Sequence, residues 1–205
     1  MQVQRKTLTQ LSIPICFETL FYMLSGMVDT LMLSSVSDQA VGAVGTANPY
    51  ISVFIIMFGV ISSGMVAVMT QNIGAGKPGI AYQARQLGLI FNAVIGVLMS
   101  VFLAVFSGNI LKMVSIAPAL FDSANTYLRI VGGACFLNAL IPIFSSYLRV
   151  FGYTKQSLWA SIIGNVINFI LNAVFLFVMN WGVMGVATAT VISRIINLII
   201  VALMG

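Results

Sequence analysis

The sequence predicts an all-α fold: a polytopic membrane bundle of six transmembrane helices making one domain over residues 1–205. Three observations carry that prediction. Apolar residues make up 60% of the chain and charged residues only 6%, where roughly a quarter of a soluble domain is charged. Mean hydropathy is +1.08. The apolar residues also gather into runs at 11–34, 47–71, 87–107, 123–148, 158–179 and 183–204, each near or above the ~20 residues that a helix needs to cross hydrocarbon. These runs exceed the ~9–11 residues of a barrel strand, and hydrocarbon cannot satisfy an open backbone, so each is expected to be helical.

The first span follows Arg5 and Lys6, as a signal peptide would, but it continues past Glu18 to about Ser34 without a small-residue cleavage site. It reads as a retained helix. Polar connections are expected at 35–46, 72–86, 108–122, 149–157 and 180–182, where Gly, Pro, Asn and Ser stop helices; Gly74, Gly76, Pro78 and Gly79 do so in the second. Arg5, Lys6, Lys77, Arg85, Arg149 and Lys155 fall on one side of the resulting topology. The other side has only Lys112 in its connections, with Arg129 just inside span four, so both termini are expected in the cytoplasm. Gly132 with Gly133, and Gly182 with Gly185, are expected close-packing points. The 12 Met and 14 Phe are expected to face lipid or fill the packing.

Several function classes drop out. The net charge of +5 has no basic cluster behind it, which argues against nucleic acid. Cys16 and Cys135 lie inside apolar runs with no CxxC or Cys/His spacing, so neither a disulfide nor zinc is expected. Gly76 precedes Lys77, yet Gln71 and Pro78 stand where a phosphate loop needs Gly and Ser or Thr. Without histidine, an activated cysteine or paired carboxylates in a soluble pocket, no enzyme chemistry and no cofactor are expected.

The informative residues are the polar ones inside spans, where a charge costs several kcal/mol. Glu18, Tyr22, Ser25 and Asp29 recur at i, i+4, i+7 and i+11, and eleven helical steps bring the last within roughly 20° of the first. Ser161, Asn165, Asn168 and Asn172 repeat the offsets on span five, and Thr190, Arg194 and Asn197 make a shorter stripe on span six. Matched stripes suggest one shared polar pocket, with Asp29 toward its external side and Glu18 or Asp29 as a partner for Arg194. Plainer roles stand beside these: amides often only glue membrane helices, at about 0.6 kcal/mol per bond. Asp29 would then snorkel to the headgroups, Glu18 would sit in an internal salt bridge, and Arg194 would be structural.

In order and spacing, several stretches make the chain similar to one family. They are Met27, Val28, Asp29 and Thr30 with 31–44 following; Gln71, Asn72, Ile73, Gly74, Ala75, Gly76 and Lys77; Tyr147, Leu148, Arg149, Val150, Phe151 and Gly152; and 165–177 leading into 181–190. Together they resemble the multidrug and toxic compound extrusion (MATE) transporters, over essentially the whole chain. The resemblance implies one lobe of a twelve-helix, two-lobed exporter of organic cations and amphipathic drugs, driven by entry of H⁺ or Na⁺. Because the chain stops at Gly205, just past span six, it looks like the N-terminal lobe. It is read as a fragment, a truncated product, or a half-transporter with a homodimer partner.

Carried over by resemblance, Asp29 matches the acidic residue that takes the coupling ion, and Asn168, Asn172 and Thr190 match positions completing that site. Na⁺ would lie at Asp29, Asn168 and Asn172. Several members carry aspartate where Asn172 stands, so one strong anion is left here rather than two. Glu18, Tyr22, Ser25, Asn165 and Arg194 are candidate cavity residues. The expected location is the plasma membrane of a bacterium or archaeon, among lipids and a second six-helix lobe. A lipid-linked oligosaccharide flippase lobe is the alternative within the superfamily, expecting a cationic cavity for which Arg129 and Arg194 could serve. A non-transporting membrane scaffold is the alternative outside it.

Overall fold

The computed structural model describes residues 7–205, so Arg5 and Lys6 lie outside the described residues. Seven α-helices follow in order: α1 (Leu8–Ser34), α2 (Asp38–Gly74), α3 (Pro78–Met113), α4 (Pro118–Gly133), α5 (Cys135–Val150), α6 (Thr154–Ala173) and α7 (Gly182–Met204). A π-helical turn, Val174–Val178, extends α6. There is no strand among the described residues. By length and composition α1, α2, α3, extended α6 and α7 can each cross a bilayer. Helices α4 and α5, bent by 42° at their junction, pass the same test only as a pair, which makes six crossings where the pair is one broken span and five where it is re-entrant. The fold is the all-α bundle expected, with five or six spans.

The connections are much shorter than expected, because helices run on past the hydrocarbon. With 37 residues α2 is about 55 Å long, against ~30 Å of hydrocarbon. The 35–46 segment is mostly helix: Ser37 accepts a hydrogen bond from Ala40 N at 3.2 Å as an N-cap. From there Ala40, Ala43 and Ala47 bury one small-residue stripe in the bundle. The 72–86 segment shrinks to Ala75–Lys77. Gly76 takes the left-handed conformation (φ +71°), Lys77 N returns to Asn72 O at 2.8 Å, and Pro78 starts α3 with its fixed φ.

Span four is not the continuous helix expected over 123–148. It breaks at Ala134, just after Gly132 and Gly133, whose flexibility weakens the helix there. Ser100 of α3 accepts a hydrogen bond from Phe136 N at 2.8 Å, satisfying a first-turn donor that the break exposes in α5. Gly132 and Gly185 are close-packing points: a Cβ would lie 2.9 Å from Leu103 Cβ at the first and 2.9 Å from Phe175 Cβ at the second. Gly133 makes only ordinary contact, 3.5 Å from Ala104 Cβ. Gly182 is not a packing point. Its φ of +53° with open space around it marks a turn glycine.

The main core joins Phe58, Leu103, Leu128, Val131, Leu176 and Val186, with a second cluster at Met65, Met69 and Ile143. Other large residues, Phe91, Phe102 and Phe177 among them, are exposed, so the Met and Phe divide between the packing and the surface. Fully buried Asn92 on α3 pins this core by donating to Ala139 O of α5 at 2.9 Å. Helix α1 is different. Only Pro14 and Leu33 are buried along it, and it lies chiefly against α6.

Candidate functional site

The polar stripe of α1 faces inward onto α5, α6 and α7, and it meets different partners at its two ends. Toward the C-terminal end, Asn172 Nδ2 of α6 donates to Asp29 Oδ1 at 2.7 Å. Asn168, one turn earlier, donates to Oδ1 at 2.8 Å and Oδ2 at 3.2 Å with its amide nitrogen turned toward the carboxylate, an orientation assigned from the hydrogen-bond network. Both amides are buried. Asn172 Oδ1 is buried without a hydrogen-bond partner, leaving an acceptor beside the carboxylate. Thr190 lines the same cavity, but its hydroxyl donates to Val186 O of its own helix at 2.8 Å. Sequence reasoning grouped these four; the structure brings Asp29, Asn168 and Asn172 into direct contact and leaves Thr190 in the wall.

At the other end Glu18 is part of an ion pair. Arg149 Nη2 donates to Glu18 Oε1 at 2.7 Å, and Ser157 Oγ lies 3.2 Å from both carboxylate oxygens. This corrects the expected pairing of Glu18 with Arg194; Asp29 and Arg194 attract one another through space, with no direct ion pair between them among the described residues. The Arg194 guanidinium instead stands 5.2 Å from the centre of the Tyr22 ring, a cation–π contact. Asn165 ties α6 to α1 by donating to Phe21 O at 3.3 Å.

These groups line two adjoining cavities. One, of about 280 Å³, is bounded by Ser25, Asp29, Asn48, Tyr127, Asn168 and Thr190, with Asn165 also on its wall. The other, of about 250 Å³, is bounded by Glu18, Ser145, Arg149, Ser157 and Ser161. Tyr22, Ile55, Asn138, Arg194 and Asn197 belong to both and form the partition. A third cavity of about 140 Å³ touches Asp29 from the side of Thr30 and Val44. Arg129 lines none of the three. Sequence reasoning missed Asn48, Tyr127 and Asn138: Tyr127 is a lone polar residue without a period, whereas Asn138 heads a stripe with Ser145 and Arg149 at i+7 and i+11 and Asn48 pairs with Ser52 at i+4, signals that the presumed loops at 35–46 and 149–157 interrupted. No group of three or more His, Cys, Asp or Glu able to hold a metal occurs among the described residues.

At the Arg149 end, Arg85 of α3 stacks 3.9 Å from the centre of the Tyr147 ring of α5. At the opposite end Lys112 lies 6.0 Å from the centre of the Phe121 ring.

Comparison with known proteins bears on the fold and the family. The family model MatE matches residues 14–174. The chain is 35% identical to the uncharacterized transporter YisQ of Bacillus subtilis (strain 168), over 94% of this chain and 43% of that protein. It is 29% identical to the probable multidrug resistance protein NorM of Thermotoga maritima, over 94% of this chain and 42% of that protein. The crystal structure of a MATE protein in complex with MaL6 superposes with a TM-score of 0.90 at 21% identity, over 95% of this chain and 43% of that one, and shows the same fold. The chain thus spans less than half the length of the relatives it matches.

Proposed function

This chain belongs to the MatE family of transporters, and from that premise we propose that it is the N-terminal half of a cation-coupled exporter that works by alternating access. The single observation carrying the reading is where Asp29 points. Its carboxylate meets Asn168 and Asn172 on the wall of a polar cavity, and not lipid. An intramembrane acid facing a cavity marks an ion path. Asp29 supplies the charge for H⁺ or Na⁺, while Asn172 Oδ1, left without a donor, supports a role as a neutral oxygen ligand. With asparagine at 172 there is one carboxylate, so the site suits a monovalent ion.

Ion entry would supply the drive, since one charge crossing 100 mV releases about 2.3 kcal/mol. The cargo on this reading is an organic cation or amphipathic drug, in keeping with the relative whose name is multidrug resistance protein. The pattern of Lys77, Arg85, Arg149 and Lys155 against Lys112 supports cytoplasmic termini in a cell membrane. A second six-helix lobe, or a second copy, would complete the transporter. Asp29→Asn in the complete transporter should abolish ion-gradient-driven dye efflux from everted vesicles without lowering expression. Normal efflux would defeat the assignment, and lipid flipping indifferent to drug competitors would favour the flippase reading instead.

A further inference from the structure

We infer that the third cavity, the small one behind Asp29, is the entrance by which the coupling cation reaches that carboxylate, separate from the space that holds cargo. Asp29, Asn48 and Tyr127 line both this cavity and the larger one, so the carboxylate stands in the wall between them. Beyond that wall the small cavity runs between α1 and α2 as far as Leu33 and Val41. Both lie about one turn or less from the 35–37 connection, which is extracellular on the topology proposed above. Size sorts what can enter. At about 140 Å³ the cavity has room for about four waters at ~30 Å³ each, and it falls below the ~300–1,000 Å³ of pockets that take drug-sized ligands. A proton handed along water, or one Na⁺, fits there; a drug-sized organic cation does not.

Charge sorts entry the same way. Asp29 carries the charge of the small cavity, and no Lys or Arg lines it among the described residues. On the other side of the wall stands Arg194, which lines both larger cavities and attracts Asp29 through space. A cation crossing the larger cavity passes that guanidinium; one crossing the small cavity meets the carboxylate first. Asn48 and Tyr127 add polar atoms beside the acid, as a trapped water or bare ion requires. Gly45 keeps the passage open: it lines the cavity, and a Cβ there would meet nothing within 4 Å. With separate doors, the cation reaches Asp29 while a cationic cargo still fills the larger cavity, and its binding cancels the charge that attracts that cargo. Cation and cargo therefore weaken each other's binding without having to pass one another. This rests on the reading of Asp29 as the coupling-ion site, but the route can be measured apart from it.

The test is the rate of thiol labelling in the complete transporter in nanodiscs. Cys16→Ser removes the exposed native thiol, Asp29→Cys puts a thiol at the position of the acid, and the probe is methanethiosulfonate ethylammonium, a small cation. Ser52→Leu narrows the larger cavity and not the small one, and it should slow labelling less than threefold. Gly45→Leu narrows the small cavity and should slow labelling at least tenfold. Misfolding would expose the thiol and speed labelling, so it cannot mimic that slowing. A Gly45→Leu effect short of tenfold, or a larger effect of Ser52→Leu, would overturn the proposal. With Asp29 intact, Gly45→Leu should slow ion-driven ethidium efflux from everted vesicles at least tenfold and leave equilibrium ethidium binding within twofold; unchanged efflux would also overturn it. If Asp29→Asn spares efflux while labelling still depends on Gly45, the route stands and only the coupling assignment fails.

Discussion

Replacing Glu18 by methionine leaves the Arg149 guanidinium without its carboxylate, and the structure sets the size of the effect. Breaking a fully buried pair by removing one partner costs about 3–5 kcal/mol, whereas exposed pairs are worth about 0–1 kcal/mol. Here the side chains are 14% exposed for Glu18 and 32% for Arg149, and the pair lines a cavity, which places the cost near 2 kcal/mol. At about 2–4 °C per kcal/mol for a chain of this length, Glu18→Met should lower the melting temperature in detergent by about 4–8 °C. Arg149→Met should cost a similar amount, since Glu18 then keeps only Ser157. The double variant should recover much of the loss, because an apolar pair strands no charge. A double-mutant cycle in thermal unfolding reads the coupling directly, and it should exceed about 1 kcal/mol. Additive losses, within about 0.3–0.5 kcal/mol, would refute the claim that this ion pair fastens α1 to α5.

Three further outcomes are expected in the same unfolding assay. Gly132→Ala puts a methyl 2.9 Å from Leu103 Cβ and should cost about 1–3 kcal/mol, whereas Gly59→Ala, with nothing within 4 Å, should be neutral or slightly stabilising. Asn92→Ala removes the donor to Ala139 O from a fully buried site and should cost about 1–3 kcal/mol. Ser100→Ala uncaps Phe136 N at the break between α4 and α5 and should cost about 1 kcal/mol; hydrogen exchange at Phe136 should accelerate with it.

The spans were legible because hydrophobic length and helical period are written in single residues and need no partner. Glu18 and Asp29 could be placed on one stripe of α1, and Asn168 and Asn172 on one stripe of α6, from that period alone. The resemblance set Asp29 beside Asn168 and Asn172, but the partner of Glu18 could not be placed. Arg149 sat in a presumed loop, and its pairing with Glu18 depends on the end of α5 lying beside α1, a relation of tertiary packing. The true connections were hidden for a related reason. Ala40, Ala43 and Ala47 look unremarkable beside the Gly and Ser around them until a neighbouring helix gives that small-residue stripe something to bury against. The break at Ala134 is marked by two glycines, yet the donor that it frees is satisfied by Ser100 from another helix.

Helix α1 buries only Pro14 and Leu33, and its firmest attachments are the two acids at the ends of its polar stripe together with Asn165 on Phe21 O. A helix moored by charge and not by grease has its position set by whatever titrates or loads those moorings. Both acids are partly buried, so ions of the medium screen such moorings less than they would at an open surface. Bulk salt should therefore leave α1 in place, while neutralising a single carboxylate should loosen the helix at that carboxylate alone.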